Sequence, residues 1–304
     1  MSYLPDHEPE CRESGSGAIE LVIQGRPRDI GELTVRRVLP SIKRRLVGPF
    51  IFFDHMGPAD FAPGHGVDVR PHPHIALATL TYLFEGEIVH RDNLGNAQPI
   101  RPCDVNWMIA GRGIAHSERT GPALRRSGGR VHGIQSWVAL PLHEEEREPS
   151  FEHHPESALP RVERSGAALR VIAGTAYGAT SPVSVLSPTL YVAAALEAGA
   201  ILPLPDEHAA RAAYVVEGSV GCDGGEHAPG TMLVFREGAR AVLYASTAAT
   251  VMLLGGAALD GPRHIYWNFV SSSSERIEQA KRDWKEGRFP KIPGDDQEFI
   301  PLPD

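Results

Sequence analysis

Short runs of aliphatic, β-branched and aromatic residues, each closed by glycine, proline or asparagine, recur along the chain. Residues 77–84 (LATLTYLF) stop at Glu85-Gly86, 87–90 (EIVH) lead into a turn over 92–96, and 105–109 (VNWMI) turn at Gly111-Arg112-Gly113. Runs of this length between such turn residues predict antiparallel β-strands. The stretch 142–164 breaks the pattern with Glu144-Glu145-Glu146-Arg147-Glu148-Pro149 and two further prolines, Pro155 and Pro160, the composition of a surface connector. β-Type runs resume at 169–174, 190–196, 212–217, 231–235, 241–244 and 250–254. Tyr214-Val215-Val216-Glu217-Gly218 echoes Tyr82-Leu83-Phe84-Glu85-Gly86, which implies a duplicated unit. The expected class is all-β, with two tandem barrels or jelly rolls. Its expected parts are an N-terminal extension over 1–30, a first barrel over 31–145, a connector over 146–165, a second barrel over 166–270, and a helix and tail over 271–304.

One helix is predicted near 273–286. Ser272 and Glu275 have capping-box spacing. Ile277, Ala280 and Trp284 follow at intervals of three and four, giving one apolar stripe. Gly287 supplies a left-handed stop, with Pro290 beyond it. The stripe is expected to pack on a barrel's outer face.

Chemistry enters at two residue pairs, His72-Pro-His74 and His116-Ser-Glu118. Residues i and i+2 of a strand share a face, so each pair can aim both side chains at one point. Three imidazoles and a carboxylate suit a first-row divalent metal and leave coordination positions open. Two such pairs brought together across several strands imply a small barrel with a metal inside, the cupin arrangement. The second half keeps His208, His227 and His264 but no HxH, so its copy is expected to have lost the metal site.

The motifs point further. HPH, then TLTYLFEG, HRDNLG and VNWMIAGRGIAHSE, together with residues 260–269 and 283–296, resemble the pirin family from about residue 48 to the end. The resemblance implies a bicupin binding iron in its N-terminal barrel, with the ligands falling on His72, His74, His116 and Glu118. It implies one Fe(II) in the cell, with Zn, Ni or Mn possible in recombinant protein. Some pirins cleave the flavonol quercetin as 2,3-dioxygenases, which implies an aromatic or enolic substrate and dioxygen. Others act as iron-dependent regulatory partners of transcription factors or metabolic enzymes, and that is the alternative reading. A third is another cupin reaction, isomerisation or decarboxylation, with the metal as Lewis acid. In the dioxygenase reading Glu118 is also the catalytic group, taking a proton from a substrate hydroxyl. Phe52, Phe53, Trp107 and Met108 are candidate pocket walls, and His90 a candidate for the pocket wall or for a place behind the ligands. Two departures stand out: Ile75-Ala76-Leu77-Ala78 carries no carboxylate after HPH, and Cys103 occupies a turn position where pirins have glycine.

Composition removes other classes. A net charge of −8 argues against binding nucleic acid through its phosphates. No apolar run approaches membrane-spanning length. Three cysteines in no spaced pair and a start without a basic, apolar leader fit a reducing, cytoplasmic setting.

Overall fold

The computed structural model describes residues 8–15 and 17–303, and each half is a sandwich of a large and a small antiparallel sheet. In the first half a seven-stranded sheet runs in the order Ser150–His154, Val105–Ile109, Leu77–Glu85, Gly129–Ala139, Phe50–Phe61, Leu33–Leu39, Arg26–Ile30. A four-stranded sheet, ordered Asp68–His74, Ile114–Thr120, Ile88–Asp92, Ala97–Ile100, covers its inner face. Leu33, Val35, Leu83 and Val131 meet Val67, Ile88 and Ile100 between the two layers. The second half repeats the plan with a nine-stranded sheet and a four-stranded one. These are tandem cupin barrels.

The two large sheets pack back to back. Phe50, Phe53, Leu80, Tyr82, Trp107 and Ile134 of the first bury against Tyr191, Tyr214, Met232, Met252 and Leu254 of the second. Each large sheet is therefore covered on both faces, and in the first the central strands Leu77–Glu85 and Val105–Ile109 are buried at nearly every position. The second barrel is filled by its own side chains, among them Leu169, Val171, Val192, Val215, Leu233, Leu243 and Leu253. Cys103 has φ +67°, a left-handed conformation that glycine adopts freely, in keeping with the turn glycine expected at this position.

Three expectations need correction. Residues 1–30 are not a plain extension: within them Ile19–Gln24 pairs with Thr231–Phe235 of the second barrel, and Glu10–Glu13 pairs with Ile19–Gln24. Arg26–Ile30 then joins the first barrel beside Leu33–Leu39. The connector also contains two strands. Ser150–His154 extends the first large sheet beside Val105–Ile109, and Arg161–Arg164 pairs with Ala167–Ala176. Charged composition marked exposure there, and an edge strand is exposed too. Finally, the helix spans Ser274–Lys285 and its cap is Ser273, whose Oγ accepts from Arg276 N at 3.2 Å. Ser272 is drawn away by Glu145, which accepts from its N–H and its hydroxyl.

A buried polar chain crosses the barrel interface. His55 Nδ1 lies 2.9 Å from the Tyr214 hydroxyl, and His55 Nε2 lies 2.7 Å from His132 Nε2. Glu85 and Glu217, the matched glutamates of the internal echo, flank His132 Nδ1 at 3.9 and 3.8 Å. Burial, and then His132, holds the His55 imidazole down from 6.5 to about 3. The unfolded chain protonates this group near its ordinary value and the folded chain only near 3. Its contribution is therefore complete above about 6.5 and is lost as pH falls toward 3. At pH 5 the loss is about 2 kcal/mol. Urea unfolding of chelator-treated protein against pH should give a shallower acid slope for His55→Leu than for wild type. Parallel slopes would refute the linkage.

Candidate metal centre

The two predicted pairs lie on neighbouring strands, Asp68–His74 and Ile114–Thr120, with His116 directly opposite His72 and Ile114 opposite His74. Between the His116–His72 and Glu118–Val69 pairs the register slips by one residue at Arg70-Pro71, where Pro71 has no N–H to lose from the ladder. The third strand, Ile88–Asp92, places Asp92 opposite His116 and His90 opposite Glu118. Directly opposed residues share a face, so His72, His116, Asp92, Glu118 and His90 all face one way.

His72, His74 and His116 are buried and offer ligand nitrogens within 4.8 Å of one another. Each Nδ1 already has a partner. His72 Nδ1 faces Arg70 O at 2.9 Å, His74 Nδ1 faces Asn268 O at 3.0 Å, and His116 Nδ1 faces His90 Nδ1 at 3.3 Å. Carbonyl oxygens only accept, so His72 and His74 carry their protons on Nδ1 and turn Nε2 lone pairs inward. His90 Nε2 donates to Asp92 Oδ2 at 3.0 Å, which leaves its Nδ1 to accept from His116. His74 Nε2 and His116 Nε2 then face each other at 3.1 Å as two acceptors, a repulsion that a cation between them relieves. Burial holds His72 down at about 4 and the other two imidazoles well below their usual range, so all three are neutral donors near pH 7. The donor set fits a divalent transition metal.

Asp92 is fully buried. Its burial works to raise its pKa, but hydrogen bonds from His90 and Asn96 bring it below the usual carboxylate range. Its other oxygen is held by the N–H groups of Leu94 and Asn96. His90 also stacks on Phe151 with ring centres 4.4 Å apart. His90 thus stands behind His116, fixing its tautomer, and does not line the cavity. His90→Ala or Asp92→Asn should weaken metal binding by about 10–100-fold in chelator competition. Wild-type affinity in both variants would refute this orienting role.

Glu118 is not in the trio's 4.8 Å group but opens on the same cavity. The Thr81 hydroxyl donates to Gln135 Oε1 at 2.7 Å or to Glu118 Oε1 at 3.2 Å. Burial pushes the Glu118 carboxyl up, against the opposing pull of His90 and Thr81. The cavity, about 280 Å³, is also walled by Phe52, Trp137, Trp267 and Ile300. Of the expected walls only Phe52 is in place. Phe53 points to the opposite face and packs on Tyr214 at 4.9 Å, Trp107 lies in the inter-barrel core, and Met108 is packed inside the barrel without reaching the cavity. Alternation along a strand sends neighbouring residues to opposite faces, and here both faces are buried. Trp137, stacked on Phe52 at 3.9 Å and edge-on to His74 at 5.0 Å, fills the part expected of Trp107.

The C-terminal segment braces the site from outside. Ile277, Ala280 and Trp284 of the helix pack on Ile75 and Ala115, each next to a candidate ligand. Asp295 accepts from the Ser117 hydroxyl at 2.8 Å and from Arg119 Nε at 2.7 Å, pinning the His116 strand.

Comparison with known proteins fits this geometry. The family model described as Pirin matches residues 32–138, and that of the Pirin C-terminal cupin domain matches 191–290. A pirin-like protein of Caulobacter vibrioides is 55% identical over 94% of this chain and 100% of its own length. The chain belongs to the pirin family. Another family member, from Pseudomonas aeruginosa, whose name assigns it quercetin 2,3-dioxygenase activity provisionally, is 38% identical over 93% of this chain and 89% of its own. The crystal structure of a quercetin 2,3-dioxygenase from Acinetobacter baumannii superposes with a TM-score of 0.87 at 33% identity, covering 94% of this chain and 95% of that one. An Escherichia coli pirin solved with nickel(II) shares the pirin fold at a TM-score of 0.60 and 20% identity, over 77% of this chain and 96% of that one.

Proposed function

We propose that this pirin is a metal-dependent dioxygenase of phenolic or enolic aromatic compounds, with quercetin as reference substrate and Fe(II) as working metal. The observation that carries the reading is the convergence of three neutral, tautomer-fixed imidazoles, two of which, His72 and His74, line a cavity with aromatic walls and one carboxyl of raised pKa. The names of the Acinetobacter and Pseudomonas relatives support it.

His72, His74 and His116 would hold the metal, with Glu118 as fourth ligand. When bound, Fe(II) supplies a redox route between a deprotonated substrate and dioxygen. The chain's own residues do the rest. Glu118, made more basic by burial, takes the proton from the substrate hydroxyl. Thr81 holds the carboxylate in place, and Gln135 competes for the same hydroxyl. Phe52, Trp137 and Trp267 give the aromatic ring apolar surface and keep water away. Recombinant protein would carry Zn or Ni, which the affinity order places above Fe(II), or Mn where that metal is in excess. All three cysteines are free, which supports a cytoplasmic setting.

Metal analysis of native protein, then oxygen uptake by Fe(II)-loaded protein with quercetin and simpler enols, tests the reading. Metal- and substrate-dependent uptake is expected. A fully iron-loaded protein that consumes no oxygen with any of them would leave the regulatory reading, with a protein partner, as the better one.

A further inference from the structure

The cavity continues from His72 and His74 past Phe52 to Arg37, Asp54, Asp29 and Arg28. Its acids are engaged. Asp54 holds Arg37 through two hydrogen bonds of 2.8 and 2.6 Å, and Asp29 accepts from the Thr34 hydroxyl at 2.7 Å. Arg37 also lies over the Phe52 ring at 4.4 Å, so its charge is spent inside the wall.

Arg28 is different. Six arginines among the described residues keep a guanidinium nitrogen out of water without a hydrogen-bond partner: Arg26, Arg28, Arg44, Arg211, Arg263 and Arg276. Five of them grip a carboxylate or a carbonyl through another nitrogen, and Arg263 also sets its Nε against Glu145 as an ion pair. Arg28 alone makes no hydrogen bond or ion pair with its side chain, and partial burial and the like charge of Arg37 weigh on it more than Asp54 and Glu8, which act from beyond ion-pair distance. A buried, unpaired guanidinium nitrogen is costly, and an anion that completes it is bound with the strength of a charge-assisted bond. The cavity volume of about 280 Å³ falls just under the range of about 300–1,000 Å³ usual for drug-sized ligands, which favours one ring over three.

We propose that the native substrate is a compact aromatic or enolic carboxylate, whose carboxylate is received by Arg28 while its ring lies along Phe52 and Trp137 toward the metal centre. The inference rests on the functional reading only in taking this cavity as the substrate site. One free guanidinium matches one carboxylate in geometry and charge.

The test is binding without turnover. Zinc-loaded protein is titrated calorimetrically with 4-hydroxybenzoate and with 4-hydroxybenzamide, which has nearly the same shape and no charge. The acid should bind about tenfold tighter or more, the difference expected between a charged and a neutral partner. Arg28→Gln should bring the acid down to the level of the amide and leave the amide unchanged. Arg28→Lys should retain part of the preference, because the charge survives and the planar fork does not. Equal binding of the two compounds by wild type overturns the proposal, as does no binding of the acid at millimolar concentration. An acid preference that survives Arg28→Gln places the carboxylate on the metal and overturns it too. Melting temperature and zinc content of both variants report folding, and the Lys variant carries the test where Gln disturbs the strand. Zinc supports no oxygen chemistry here, so failed oxygen uptake with flavonols and a failed acid preference are separate outcomes.

Discussion

Alanine at His74 is expected to leave the chain almost without metal. His74 is buried, its Nδ1 is fixed by Asn268 O, and its Nε2 lies 3.1 Å from that of His116. The substitution removes a metal donor outright and leaves the Asn268 carbonyl without its hydrogen-bond donor. The loss of affinity should exceed the about 10–100-fold that follows when only an outer partner is removed. After dialysis against a chelator, elemental analysis should find a small fraction of the wild-type complement. Added metal should raise the melting temperature of wild type, by mass action on the folded state, and not that of His74→Ala. A full metal complement in the variant would sink the site assignment.

Glu118→Gln probes chemistry apart from retention. The amide keeps an oxygen donor and nearly the same volume but removes the charge and the basicity. The variant is expected to bind some metal while turnover per bound iron falls by roughly 10²–10⁴-fold, the range for loss of a positioned general base. Unchanged turnover per iron would reduce Glu118 to a ligand. His90 would not be the substitute, since it sits behind His116 against Phe151 and Asp92.

What the sequence revealed and what it hid divide along physical lines. His72-Pro-His74, His116-Ser-Glu118 and the Ile277, Ala280, Trp284 stripe depend on the period of one element, and period is written in the sequence. Phe52 against Phe53, and Trp137 against Trp107, could not be separated, because strands covered on both faces lose their polar alternation. Asp92 carried a signal, its i, i+2 spacing from His90, but its value depends on the pairing of Asp92 with His116. Asn268 and Ile300 reach the cavity from the far end of the chain, and no local pattern announces a contact of that range. The strands hidden in residues 10–24 failed for the same reason, since their partner begins at Thr231.

That last pairing has a consequence for how the molecule is made. Ile19–Gln24 buries Ile19, Leu21 and Ile23, yet the strand that receives it begins 207 positions after Gln24, at Thr231. At about 5–20 residues per second a ribosome takes roughly 10–40 s to cover that distance. During this time the first barrel has its own strands available while an apolar segment at its N-terminal side has only the short strand Glu10–Glu13 to pair with. Such a segment is a binding site for chaperones and a nucleus for aggregation. The finished chain is stitched: Glu10–Glu13 and Ile19–Gln24 lie in the barrel that is completed last, so the second barrel cannot be cut out as one continuous stretch, and the two should unfold as one cooperative unit.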